Sequence, residues 1–93
     1  MKYEIQRTSS FKHDYKLVKK RGYDIGKLKA VVALLADGAE LPAVYSDHAL
    51  TGNWIGYREL HIAPDWLLVY RIYEQQLILS LTRTGTHSDL FGK

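Results

Sequence analysis

The chain changes from helical to strand-like periodicity about halfway along its length, and this change limits the folds open to it. An alternating segment, Lys2–Arg7, first predicts a short strand. Apolar residues then recur at spacings of three and four up to about residue 36, which predicts helices. From Trp54 onward, runs rich in β-branched and aromatic residues predict three strands, at about 54–62, 66–73 and 77–83.

Two capped helices are predicted between the first strand and the later ones. Thr8-Ser9-Ser10 offers N-cap oxygens for a helix that runs to about Arg21, and Gly22 is placed to end it. Its expected buried stripe consists of Phe11, Tyr15 and Val18. Asp24 can cap a second helix, which Gly38 would end. Its expected inner face consists of Ile25, Leu28, Val32 and Leu35.

The order of these elements predicts an α+β fold. Pro64-Asp65 and residues 74–76 are the expected hairpin turns between the last three strands. The short link between the helices predicts an antiparallel pair, packed on one face of a small, mainly antiparallel β-sheet (β-α-α-β-β-β). The other face is expected to be uncovered, which would suit a binding surface. The tail, residues 84–93, is too short for another major element.

Length and composition indicate a single domain over residues 1–93. Apolar residues make up 46% of the chain and charged residues 25%, which argues against disorder. No apolar stretch approaches the ~20 residues of a membrane-spanning helix, and the polar N-terminus does not match a signal peptide. The chain has no cysteine, which excludes disulfides and thiolate chemistry. We therefore expect a cytoplasmic protein that does not contact membranes.

Positive charge is concentrated in the first third of the chain. Residues 1–36 hold nine Lys and Arg against three acids, whereas residues 37–93 hold four against seven. Four lysines lie together on the first predicted helix, beside its apolar stripe: Lys12, Lys16, Lys19 and Lys20. A basic surface of this kind favours a polyanionic partner such as nucleic acid. The alternative is a solvated surface that only keeps the helix soluble.

Three of the four histidines, His48, His61 and His87, lie in or beside predicted loops of the C-terminal half. With Asp65 and Arg83 they supply acids, bases and an anion clamp. No histidine pair has the spacing of a zinc motif such as HExxH, so we predict neither a metal site nor a cofactor. Imidazoles and a guanidinium suit cleavage of RNA, because the substrate's own 2′-hydroxyl then serves as nucleophile.

Five sequence blocks follow one another in the order found in a known toxin family. They are LPAVY (41–45), DHALTG (47–52), YRELHI (57–62), PDWLLVY (64–70) and RTGTHSDLFG (83–92). Together they resemble the YafQ group of the RelE/ParE toxin superfamily, over essentially the whole chain. One departure, Ala49 where a proline is common, lies outside the residues that carry the family's chemistry.

The resemblance implies a bacterial type II toxin, an endoribonuclease that cleaves messenger RNA inside the translating ribosome. It also implies a cognate antitoxin, which silences the toxin and forms with it a complex that binds operator DNA. The family's proton-transfer and phosphate-binding residues fall on five positions of this chain: His48, His61, Asp65, Arg83 and His87. The aromatic residue of the last block falls on Phe91.

Residue chemistry and resemblance together assign roles to these side chains. His87 and His48 are our candidates for the acid/base pair, and His61 can take either role. Asp65 would orient an imidazole or raise its pKa. Arg83 would hold the scissile phosphate and stabilise the transition state.

Other side chains could contact the RNA or the ribosome. Phe91 and Trp66 are candidates to stack on a base, although a Trp that opens a strand is at least as often packed in the core. Arg58 could either brace the sheet or contact a phosphate, whereas Arg71 is expected to be structural. We expect the four lysines of the first helix to dock on ribosomal RNA.

Two other functions fit parts of the sequence. One is a gyrase-poisoning toxin of the ParE kind, which would need no proton-transfer groups. The other is a non-catalytic RNA-binding module, which would account for the basic helices but not for the loop histidines.

Overall fold

The structure, a computed structural model, describes residues 1–92. Its strands are β1 (Glu4–Arg7), β2 (His48–Ala49), β3 (Arg58–Ala63), β4 (Trp66–Tyr73) and β5 (Ile78–Gly85). Its α-helices are α1 (Ser9–Lys20), α2 (Ile25–Ala36) and α3 (His87–Phe91). Two short 3-10 turns cover Ala43–Tyr45 and Gly52–Trp54. Within the part of the chain that the structure describes, no helix is long and apolar enough to cross a membrane.

All five strands form one sheet in the order β1-β5-β4-β3-β2. β1 runs parallel to β5, and the other neighbours are antiparallel. The α+β class and the mainly antiparallel sheet are confirmed, but the predicted element order omitted β2 and α3. The strand expected at 54–62 begins only at Arg58, because residues 52–54 form a 3-10 turn. The last strand extends to Gly85, two residues beyond its predicted end.

The first helix begins and ends where its caps predict. The Thr8 hydroxyl oxygen accepts a hydrogen bond from the Phe11 N–H at 2.9 Å, which satisfies a backbone donor of the first turn. Gly22 follows the helix with a φ of +84°, a conformation that favours glycine. Phe11 and Val18 are buried, as expected from the stripe. Asp14 is also buried, which the apolar pattern did not predict.

The second helix is capped by Asp24, whose carboxylate accepts a hydrogen bond from the Gly26 N–H. Its buried face contains two of the four predicted residues and two others. Leu28 and Leu35 are buried as expected, whereas Ile25 and Val32 are only half-buried. Their places in the core are taken by Val31 and Ala36.

Both helices cover the same face of the sheet. Apolar side chains from α1, α2 and the three long strands form one cluster there. Its most deeply buried strand members are Leu60, Leu68, Tyr70, Leu79 and Leu81. Burying each such side chain contributes about 1.5–3 kcal/mol. This core therefore holds in place the long strands that carry His61 and Arg83.

The opposite face of the sheet was expected to be uncovered, and this expectation is wrong in part. Leu67 and Val69 of β4 point to that face and are fully buried. They are covered by Leu90 of α3 and by partly buried side chains from two segments: Leu50, Trp54, Tyr57 and Phe91. The 50–57 segment and the tail thus close part of this face and leave a smaller surface beside them.

The C-terminal tail forms a helix because several polar contacts fix it. Thr86 and Asp89 form a reciprocal capping box at the start of α3. Arg21 donates two hydrogen bonds to the Asp89 carboxylate, at 2.6 and 3.1 Å. These bonds, together with the one from the Thr86 N–H, hold the pKa of Asp89 well below its usual range. Gly85 has a φ of +153°, and a Cβ there would lie 2.8 Å from the Asp89 carboxylate.

Candidate active site

The strand register aligns polar residues from three different strands. His48 of β2 pairs with Glu59 of β3. Glu59 pairs in turn with Val69 of β4, whose other neighbour is Arg83 of β5. Because neighbouring strands lie about 4.8 Å apart, the backbones of Glu59 and Arg83 are about 10 Å apart.

The next row of the register brings in the two other histidines. His61 of β3 pairs with Leu67 of β4, and Leu67 pairs with Gly85 of β5. His87 follows Gly85 by two residues, at the start of α3. The turn between β3 and β4 carries Asp65 at the same end of the sheet.

The three predicted histidines lie in a line with His61 in the middle. The ring centroids of His48 and His61 are 6.3 Å apart, and those of His61 and His87 are 5.8 Å apart. The side chains of His48 and His87 are about half exposed, at 50% and 46%, whereas that of His61 is 28% exposed. All three rings are therefore at least partly open to solvent.

Glu59 lies between two of these rings and was not identified from the sequence. Its Oε1 is 3.5 Å from Nε2 of His48 and 3.7 Å from Nε2 of His61. Its side chain is only 7% exposed. When either ring takes up a proton, the new positive charge lies beside this carboxylate. An acidic residue with histidines next to it on its own strand and on the neighbouring strand would have indicated this arrangement. It could not be recognised from the sequence, because β2, which carries His48, was not predicted.

Asp65 contacts His87 twice. Its Oδ1 accepts one hydrogen bond from the ring Nδ1–H at 2.8 Å and another from the backbone N–H at 3.1 Å. These bonds lower the pKa of Asp65, the ring contact being the larger cause. The contact fixes the tautomer of His87, because Nδ1–H is occupied, and Nε2 has no hydrogen-bond partner among the described residues.

His48 is oriented by its own neighbours in the chain. Its Nδ1–H donates to the Ser46 carbonyl at 2.8 Å, which turns Nε2 toward Glu59. The adjacent Asp47 accepts a 2.6 Å hydrogen bond from the Tyr70 hydroxyl and further hydrogen bonds from Arg58. Burial, followed by the hydrogen bond to Asp47, raises the pKa of Tyr70. The segment that carries His48 is thus tied to the centre of the sheet.

Of the two roles considered for Arg58, the structure shows the bracing contact, and the phosphate contact stays a prediction, since the side chain is 42% exposed. Its guanidinium is 3.1 Å from the Asp47 carboxylate, and this hydrogen bond raises the pKa of Arg58. Arg71 agrees with the structural role expected of it, since its guanidinium lies over the rings of Tyr57 and Tyr73.

Arg83 is held by a carboxylate from α1. Its Nε donates to Asp14 Oδ2 at 2.6 Å and its NH2 group donates to Asp14 Oδ1 at 3.1 Å. Asp14 Oδ2 also accepts from the Thr84 N–H, on a stretch of β5 that β1 does not reach. The contact raises the pKa of Arg83. Nε and NH2 of the guanidinium are therefore held by Asp14, whereas NH1 has no hydrogen-bond partner among the residues that the structure describes.

The two aromatic candidates have different environments. Phe91 is partly exposed and packs edge-on against Trp54, with ring centroids 6.0 Å apart. Trp66 is only 4% exposed and packs against Tyr23, and its Nε1–H donates to the Thr84 hydroxyl. The expected base contact of Trp66 is therefore corrected: its ring lies in the core and cannot stack on RNA.

The lysines of α1 are all exposed. Lys12, Lys16 and Lys19 line one wall of a groove of about 760 Å³ between α1 and α2, whose floor is apolar. This groove lies on the helical side of the sheet, away from the histidines.

Three side chains of the site have the geometry of metal ligands, although no HExxH-like spacing is present. One ligand atom each from Glu59, His61 and His87 lies within 4.8 Å of the others. Two imidazoles and a carboxylate suit zinc or copper. The fold thus brings together three potential ligands that are distant in sequence, and the expectation that the protein uses no metal stays a prediction.

A family model described as "Bacterial toxin of type II toxin-antitoxin system, YafQ" matches residues 3–92. The chain belongs to the YafQ family. The resemblance of the five sequence blocks is thereby confirmed.

Relatives of this YafQ-family chain include proteins of known structure. It is 44% identical to the mRNA interferase toxin YafQ of Escherichia coli K12 over 90 residues, 96% of each chain. It superposes on the E. coli DinJ-YafQ complex with a TM-score of 0.89 and 44% identity, covering 97% of this chain and 99% of that one. A metal-bound toxin from Helicobacter pylori superposes with a TM-score of 0.90 and 42% identity, covering 96% and 99%.

We expect Asp14→Asn to lower the turnover of RNA cleavage about 10- to 100-fold, because it removes a charge-assisted hydrogen bond to Arg83. The NH2 group of the new side-chain amide would also face an N–H donor of Arg83 or Thr84, to which it cannot form a hydrogen bond. Asp37→Asn, an exposed change at the end of α2, is the matched control. Turnover and Michaelis constant measured on the same message would show whether the loss lies in the chemical step.

A double variant separates positioning of Arg83 from general damage to the fold. In an Arg83→Lys background, Asp14→Asn should cost much less activity, because the bidentate contact is already absent. An equal loss of activity in both backgrounds would contradict the assignment of Asp14 as a positioning residue for Arg83.

Proposed function

We propose that this chain is a type II toxin that inhibits translation by cutting messenger RNA, an endoribonuclease of the mRNA interferase kind. The observation that carries this proposal is the line of three imidazoles with Arg83 and two carboxylates around it. The E. coli relative is named an mRNA interferase, and the likeness extends over nearly the whole of both chains. The same chemistry therefore fits both the site and the family.

The reaction uses the substrate's own 2′-hydroxyl as nucleophile. One imidazole takes the 2′-hydroxyl proton as the oxygen forms a bond to the adjacent phosphorus. The bond from phosphorus to the 5′-oxygen breaks, and a second imidazole donates a proton to that oxygen. The products are a 2′,3′-cyclic phosphate and a 5′-hydroxyl, so atoms and protons balance without a metal or an added nucleophile.

The geometry supports a division of roles among the site residues. His87, held at Nδ1 by Asp65, presents Nε2 to the substrate, and His48 or His61 serves as its partner in proton transfer. Arg83 presents NH1 to the phosphate oxygens, where negative charge grows in the transition state. Phe91 offers a partly exposed ring for a base.

The alternative functions are less well supported. A gyrase poison of the ParE kind would have no use for Glu59 and Asp65 placed against three imidazoles. A non-catalytic RNA-binding module would not need them either.

A cognate antitoxin is the expected protein partner, because the family model describes toxins of toxin–antitoxin systems and the E. coli structure is a DinJ-YafQ complex. Binding of that complex to operator DNA remains part of the proposal. Cleavage of mRNA inside the translating ribosome is also part of the proposal. The exposed lysines of α1 are the proposed surface that docks on the ribosome.

His87→Ala should abolish toxicity and lower cleavage by ~10²–10⁴, the usual cost of losing a proton-transfer group. His13→Ala is the matched control, since His13 is exposed on α1. Mapping of mRNA 5′ ends after induced expression measures the effect. A message with a 2′-deoxy sugar 5′ of the cut should resist the wild-type toxin, with or without EDTA at a level that leaves ribosomes intact.

Two results would refute the proposed chemistry. One is normal cleavage of the 2′-deoxy message, since no 2′-oxygen would then be required. The other is full toxicity of His87→Ala with unchanged cleavage sites.

Replacing Lys12, Lys16 and Lys19 together by Gln should weaken ribosome binding, most strongly at low salt. For each phosphate that the variant no longer binds, the slope of log affinity against log salt should fall by roughly 0.7–0.9. The melting temperature should hardly change, because exposed charges contribute little to stability. Titration onto ribosomes at several salt concentrations measures the slope, and an unchanged slope would leave these lysines as ordinary solvated surface.

A further inference from the structure

A cleft without an assigned role adjoins the line of histidines at His61. It has a volume of about 360 Å³ and lies between α2, the 3-10 turn Ala43–Tyr45 and the β3–β4 turn. Lys27, Tyr45, Ser46 and His61 are among the residues that line it. This volume is at the lower end of the range for small-molecule sites.

A second depression, of about 300 Å³, continues the cleft toward Asp65. The two share Lys27 and Ala63 in their walls. A path therefore leads from His61, past Lys27, to Asp65, and both ends of it are residues of the proposed active site. His61 and Asp65 thus belong both to the walls of these depressions and to the proposed active site.

The side chains of the cleft fit one nucleotide of an RNA strand. Lys27 is exposed and forms no ion pair with any residue in the part of the chain that the structure describes. The ring of Tyr45 is half-buried against the core, which holds it in place while part of it lines the cleft. The second depression is lined by the acids Asp24 and Asp65. A phosphate is therefore favoured next to Lys27 and disfavoured next to these two carboxylates.

Ser46 connects the cleft to the catalytic residues. It has a φ of +50°, an uncommon conformation for a residue other than glycine, Asn or Asp. This turn lets the Ser46 carbonyl accept the hydrogen bond from His48 while Ser46 also lines the cleft. A group bound in the cleft would thus contact the same short segment that orients His48.

We propose that this cleft is a nucleotide subsite, which holds the nucleoside next to the cleaved phosphate. Lys27 binds that nucleotide's phosphate, and the ring of Tyr45 packs against its base. The inference rests on the proposed RNA cleavage, since it is the substrate strand that must continue beyond the cut.

Lys27→Gln tests the phosphate contact on ribosomes programmed with a cleavable message. The Michaelis constant should rise about tenfold with little change in turnover, because the variant removes a charged group that binds the substrate and keeps the catalytic groups. Lys2→Gln is the matched control, since it removes the same charge from an exposed lysine that lines neither the cleft nor the groove between α1 and α2. It should leave both constants unchanged.

Abasic nucleotides test the base contact. In the wild type, removal of the base at one position flanking the cut should raise the Michaelis constant about 5- to 100-fold, in line with stacking on an aromatic ring. Tyr45→Ala should raise it on the intact message by a similar factor. The abasic change should then cause almost no further loss in Tyr45→Ala.

The inference is overturned if Lys27→Gln behaves like Lys2→Gln, or if the Tyr45→Ala and abasic effects multiply independently at every flanking position. Failure of the proposed function would give a different result, because the wild-type chain would then cleave no message at all. That outcome would overturn both proposals.

Discussion

The buried carboxylate of Asp14 is the contact on which the geometry of the site depends. β1 ends at Arg7, level with Leu81, whereas β5 continues to Gly85, paired with β4 but no longer with β1. Asp14 takes the place of the missing strand by accepting the Thr84 N–H, and it binds the guanidinium of Arg83 through both oxygens. A carboxylate buried without partners would cost several kcal/mol, so these contacts must form together.

The same helix holds the tail that carries His87. Arg21, directly after α1, binds Asp89 of α3, and Asp89 in turn caps the first turn of that helix. The first helix therefore fixes Arg83 through Asp14 near its middle, and it fixes the start of α3, with His87, through Arg21 at its C-terminal end. The sheet supplies His61 and Glu59 between them, so the helical layer and the sheet together position the residues of the proposed site.

Carboxylates are paired with the imidazoles throughout the site. Asp65 contacts His87, and Glu59 lies between His48 and His61. A reaction that moves protons through imidazole rings creates transient positive charge, and each ring has a counter-charge within 4 Å. Arg83 supplies the opposite charge for the phosphate, so both signs of charge that the proposed reaction develops are matched by fixed groups.

Much of this arrangement could be predicted from the sequence, because local signals are strong in the N-terminal half and at the turns. Thr8 and Asp24 cap the helices, and Pro64-Asp65 forms the β3–β4 turn, as expected. Asp14 and Glu59 could not be predicted, since a buried acid is stabilised only by partners that are far away in sequence. β2 and α3 were missed because two-residue strands and five-residue helices have almost no periodicity. Trp66 lies in the core, where its Nε1–H donates to the Thr84 hydroxyl. No local sequence pattern shows this contact.

The chemical nature of the new ends in a cleaved message tests the central claim most directly. Mass spectrometry of both fragments, made with wild-type toxin on programmed ribosomes, identifies them without reference to any variant. The account predicts a 2′,3′-cyclic phosphate, or the 3′-phosphate formed from it, on one fragment and a 5′-hydroxyl on the other. A 3′-hydroxyl paired with a 5′-phosphate would contradict it, because water rather than the 2′-hydroxyl would then have attacked the phosphorus.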